Sequence, residues 1–173
     1  MNAQDILIDA ARRPQHAAGQ VLAGLSPDVL HAMPEGRGNS IAWLLWHAAR
    51  QQDAQVAALR GAEQVWVGQG WAERLGVDRG PRAIGFGDSP DDVAALRVAD
   101  PGALRDYLDA VVEATVDYIG SLSDDDLGAV IDTSWNPPVT RGVRLVSTID
   151  DATVHVGQAA YARGLIEAWR IGY

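Results

Sequence analysis

The sequence predicts an all-α protein, a four-helix bundle with a long crossover connection between its second and third long helices. Three observations lead there. Apolar residues recur near helical period in four separate stretches. Helix start and stop residues bracket those stretches. A segment from Gly61 to Pro101, repeatedly interrupted by glycine and proline, separates the second stretch from the third and is longer than a simple up-down bundle needs.

The first stretch runs from about Ala3 to Leu22, with Ile6, Leu7, Ala10, Ala17, Val21 and Leu22 on the apolar side. Pro14 lies inside it and is expected to kink or divide the helix, because proline removes a donor and crowds the preceding turn. Ser26 and Pro27 then open a short helix reaching Met33. The run GRGNSIAWLLWHAARQQDAQVAALRG is the clearest helix, with Asn39 or Ser40 as its cap and Gly61 closing it. Within the crossover, short helices are expected around Trp71 to Leu75 and after Ser89-Pro90. Asp100-Pro101 begins the third long helix, whose stripe is Leu104, Leu108, Val111, Val112, Thr115, Ile119 and Leu122. Ser123 caps a further short helix. The segment from Val130 to Arg144 contains Pro137-Pro138 and should be an extended loop or hairpin. The fourth long helix begins near Gly142 or Leu145 and continues toward Trp169.

At 173 residues the chain fits a single domain spanning 1–173. All 14 basic residues are arginines, outnumbered by 23 acidic ones, for a formal net charge of -9. That balance excludes nucleic-acid binding as an expectation, because such affinity comes from cations neutralising phosphates. There is no cysteine, so disulfides, thiolate nucleophiles and finger-type zinc sites are excluded, and any thiol chemistry must use an external thiol. Asp5, Asp9, Arg12 and Arg13 interrupt the apolar core a signal peptide would need, and no run approaches a membrane span. A cytoplasmic protein without membrane association is the expectation.

Asp151 and His155 are four residues apart on a predicted helix, which puts a carboxylate and an imidazole on nearly one face. His47 sits mid-helix on an otherwise apolar side, and facing helices of a bundle commonly supply metal ligands together. Two imidazoles and one carboxylate suit Zn, Ni, Fe(II) or Mn and leave coordination positions open. From spacing alone, however, a buried hydrogen-bonded histidine with a helix-borne aspartate is the commoner arrangement. A third arrangement has Asp151 paired with Arg50. Gln51 and Gln158, each one turn from a histidine, are candidate supports for the ligands, with a solvated polar residue the ordinary reading of Gln51. Trp43, Trp46, Trp135 and Tyr161 are candidate pocket walls or core residues. Gly157 reads as a close helix-packing position. The Gly85-Phe86-Gly87-Asp88-Ser89 run lacks the lysine and strand of a phosphate loop and reads as a flexible connection.

The runs NSIAWLLWHAARQQDAQVAAL and STIDDATVHVGQAAYARGLI resemble the DinB superfamily of metal-binding helical bundles, and the resemblance extends over most of the chain. It implies His47 and His155 as metal ligands. In the commonest family pattern the residue four before the final histidine is also histidine; here it is Asp151, as in the mycothiol-dependent maleylpyruvate isomerase branch, and a carboxylate there favours a harder ion. The resemblance implies a divalent metal, with Zn or Ni ahead of Fe or Mn. It further implies mycothiol or bacillithiol as cosubstrate, a small-molecule substrate, a homodimer, and transferase, isomerase or hydrolase chemistry. The competing expectation is a non-catalytic metal- or small-ligand-binding, stress-associated protein.

Overall fold

The computed structural model describes residues 1–172. It is mostly helical, with two short strands. The elements in order are α1 (Ala3–Leu22), α2 (Pro27–His31), a 3-10 turn (Pro34–Gly36), α3 (Ile41–Arg60), α4 (Val65–Gly68), α5 (Trp71–Leu75), α6 (Pro90–Ala95), α7 (Pro101–Gly120), α8 (Asp124–Gly128), β1 (Val130–Asp132), β2 (Val139–Thr140) and α9 (Arg141–Glu167). The strands pair antiparallel with Val130 opposite Thr140, so of the extended loop or hairpin expected here the segment forms a short hairpin.

Local chemistry sets the helix ends. Ser40 Oγ accepts from the Trp43 N–H at the start of α3, and Gly61, with φ +62, closes it in the left-handed conformation that glycine adopts without steric cost. Ser89 and Asp92 form a reciprocal capping box on α6. Thr140, the last residue of β2, caps α9, so α9 begins immediately after the hairpin at Arg141. Pro14 does not divide α1: the helix is continuous from Ala3 to Leu22 with Pro14 buried inside it. One backbone hydrogen bond is lost there, and burial of the ring against the rest of the protein offsets it.

The four long helices pack in pairs: α1 on α7 and α9, and α3 on the same two helices. Residues Ile41 to Asp53 of α3 are all buried, so α3 is enclosed on every side over three turns, its polar side chains included. What covers its outer side is the segment between α3 and α7. Trp66 of α4 packs edge-on to Trp46 of α3 and to Tyr107 of α7, and Trp71 of α5 packs on the same tyrosine, with ring centroids 6.3, 5.2 and 5.3 Å apart respectively. Such aromatic pairs each add about 0.5–1.5 kcal/mol beyond area burial, which fastens an irregular segment onto regular helices.

Beneath these rings Arg50 and Asp53, both essentially inaccessible, form an ion pair at 3.2 Å. Asp53 also accepts from the Val65 and Trp66 N–H groups at the start of α4 and from the Tyr107 hydroxyl, so its buried charge is fully hydrogen-bonded. Gly157 is not a packing position: it is exposed, and a Cβ there would meet nothing within 4 Å. Among the described residues no helix is long and apolar enough to cross a membrane.

Candidate metal centre

The contact between α3 and α9 brings His47, Asp151 and His155 together: one ligand atom from each lies within 4.8 Å of the others. His47 is 7 % exposed, while Asp151 and His155 are half-buried, so the group opens outward along α9. The two imidazole rings stand nearly perpendicular, centroids 4.5 Å apart.

In each histidine the Nδ1 atom is already used. His47 Nδ1 meets the Ile84 carbonyl oxygen, which only accepts, so Nδ1 carries the proton and Nε2 keeps its lone pair. His155 Nδ1 lies 2.9 Å from Gln158 Oε1, which fixes the second ring in the same sense. His155 Nε2 is 3.6 Å from Asp151 Oδ1, too long for a good hydrogen bond. Asp151 Oδ2 is buried without any hydrogen-bond partner, while the side chain as a whole is 42% exposed. Two imidazoles and a carboxylate that each offer one atom to a cluster within 4.8 Å are a donor set that fits a divalent cation.

Electrostatics favour the same protonation state at His47. Burial, the largest influence, pushes its imidazole below the ordinary histidine range; the Ile84 hydrogen bond opposes this, neighbouring His155 adds to it, and the Asp151 and Asp88 carboxylates oppose it. The net shift is downward, so His47 is neutral at neutral pH, the form in which imidazole ligates metals.

Trp43 forms one wall. Its ring stacks on His47, centroids 4.7 Å apart and 13° from parallel, and its Nε1 donates to Asp88 Oδ2 at 2.9 Å. Asp88 is held in turn by Arg79 at 3.2 Å. The run from Gly85 to Ser89, expected to be a flexible connection, therefore forms part of the site. Gly85, with φ +92, sits so close that a Cβ would fall 2.8 Å from His47 Nδ1 and 3.0 Å from Trp43. The glycine pair around Phe86 was the available signal, since glycines outside helices mark close backbone approach as well as flexibility.

The remaining candidates fall elsewhere. Gln51 is not solvated; it is 3 % exposed and donates to the Thr148 carbonyl, linking α3 to α9 one turn before Asp151. Trp46 is core. Tyr161 and Trp135, at 71 % and 66 % exposed, do not wall the site. Arg50 does not pair with Asp151, because its guanidinium is spent on Asp53, Tyr107, Gln64 and the carbonyls of Pro81 and Ala83.

Fold and site together define a helical protein with a two-histidine, one-aspartate cluster suited to a cation. Residues 10–159 match the family model of the DinB superfamily, and the chain belongs to that superfamily. A crystal structure of a conserved protein of locus from Enterococcus faecalis is similar, with 36% sequence identity, a TM-score of 0.90, and coverage of 98% of this chain and 99% of that one. No curated protein matches.

Proposed function

We propose that this chain is a metal-dependent enzyme in which His47 Nε2, His155 Nε2 and Asp151 hold one divalent ion, Zn or Ni ahead of Fe or Mn. The observation that carries the reading is the clustering of Asp151 with two imidazoles whose Nδ1 atoms are both engaged elsewhere. When bound, a divalent ion here supplies Lewis acidity, which makes water or an added low-molecular-weight thiol nucleophilic near neutral pH. Because the chain has no cysteine of its own, thiol chemistry here would use an external thiol; the family resemblance points to mycothiol or bacillithiol in a transferase or isomerase, with a hydrolase as the water-using equivalent. The protein's own contribution is to orient His47 between Trp43 and the Ile84 carbonyl and to exclude water from that side.

The reading includes one domain over 1–173 with the four long helices as a bundle and residues 61–100 as its crossover, supported by a core to which all four contribute. It includes a cytoplasmic homodimer acting on a small molecule. Val143, Val146, Val154 and Leu165 are exposed apolar residues of α9 that a second copy could cover, and light scattering of the purified chain tests the dimer.

Elemental analysis of protein purified without a metal-affinity tag tests the centre itself. About one equivalent of a transition metal per chain is expected, as isolated or after incubation with Zn, Ni or Mn, and failure to bind any of them rejects the reading. Conjugation of mycothiol or bacillithiol to an electrophilic probe should then be lost in His47→Ala. Equal rates in wild type and variant would leave a non-catalytic metal-binding protein.

A further inference from the structure

Arg50 is one turn beyond His47 on α3 and is 0% exposed, yet none of its hydrogen bonds goes to His47, Asp151 or His155. Its donors divide between two tasks. Toward the core, Nη1 reaches Asp53 and the Tyr107 hydroxyl, each at 3.2 Å. Toward the crossover, Nη2 reaches the Pro81 carbonyl at 2.8 Å and Gln64 Oε1 at 3.0 Å, while Nε reaches the Ala83 carbonyl at 3.2 Å. The next carbonyl along the chain, that of Ile84, receives His47 Nδ1, and the next residue is Gly85, packed against the His47 and Trp43 rings.

We propose that Arg50 is a positioning residue of the metal centre: by clamping the Pro81 and Ala83 carbonyls it presents the Ile84 carbonyl to His47 and holds that ring with its proton on Nδ1 and Nε2 free toward Asp151 and His155. An arginine suits the task because its planar fork satisfies several fixed acceptors at once, which a lysine ammonium on a flexible stem does not. The alternative local arrangement, with the proton on Nε2, turns the ligand atom into a donor and removes it from the cluster. The proposal rests on the metal-site reading for its purpose and on the Arg50 contacts for its mechanism, and the two are separable by experiment.

The test is long-range ¹⁵N–¹H NMR of the histidine rings in metal-free protein at neutral pH, paired with Zn titration. Wild-type His47 is expected as the Nδ1–H tautomer, and an Nε2–H tautomer overturns the proposal before any variant is made. In Arg50→Lys, with helical content and cooperative unfolding retained, the His47 tautomers should mix and Zn affinity should fall about 10–100-fold, the usual effect of losing a supporting partner. A folded Arg50→Lys with the wild-type tautomer and wild-type Zn affinity overturns it. Because the buried pair with Asp53 makes that variant vulnerable, Arg50→Met/Asp53→Asn removes both charges together, and the same two readouts apply. If wild type binds no Zn while the tautomer still depends on Arg50, the positioning stands and the metal reading falls.

Discussion

Asp151 is the residue at which the metal reading is most exposed to test. Without a cation its Oδ2 is buried and unpartnered, so Asp151→Asn should leave metal-free stability within about 0.5 kcal/mol of wild type or raise it. Its Zn affinity, in contrast, should drop by more than the roughly 10–100-fold that loss of a supporting group causes; urea unfolding and Zn titration measure the two. Gln158→Leu removes only the acceptor on His155 Nδ1, so it should weaken Zn binding within that 10–100-fold range. The juxtaposition of Asp151 and His155 was legible from their four-residue spacing, since helix geometry alone puts them on one face. The support at His47 was not. Ile84 acts through a backbone carbonyl, which any residue type supplies and which leaves no chemical signature in the sequence, and Gly85 leaves only the glycine itself, which marks flexibility as readily as close approach.

At the scale of elements, helices with caps and steady periodicity read true: the extent of α3 follows from Ser40 and Gly61 together with its apolar spacing, and that of α1 from its apolar spacing. Sequence reasoning failed where a role depended on which face of a helix meets which neighbour. Gln51 reads as solvated because it is polar, but α3 is enclosed all round, and its amide instead bridges to α9. Gln51→Leu should therefore cost about 0.5–1.5 kcal/mol, the net worth of a buried hydrogen bond, measured by chemical denaturation. Gly157 reads as packed because glycine often permits close approach, yet α9 presents it to open space. With nothing to clash and a helical backbone, Gly157→Ala should stabilise the protein by about 0.5–1 kcal/mol through the lower entropy of the unfolded chain. Destabilisation by that variant would show that this position is covered in solution.

For the whole molecule, the candidate centre lies where α3 and α9 meet, and α3 also carries the crossover through Arg50, Trp43 and His47. A cation held by His47, Asp151 and His155 thus links the central helix, the last helix and the segment between α3 and α7, none of which retains that geometry when the chain unfolds. Binding to the folded state alone stabilises it by mass action, about 2.7 kcal/mol when free metal is 100 times its dissociation constant. For a chain of this size each kcal/mol raises Tm by roughly 2–4 °C, so saturating Zn or Ni should raise Tm by about 5–11 °C and a chelator should reverse the shift. His47→Ala should abolish the metal-dependent part of Tm, because too few donors remain to hold the ion. A similar metal-induced rise in that variant would place the ion elsewhere on this acidic chain and separate surface charge neutralisation from binding at the α3–α9 cluster.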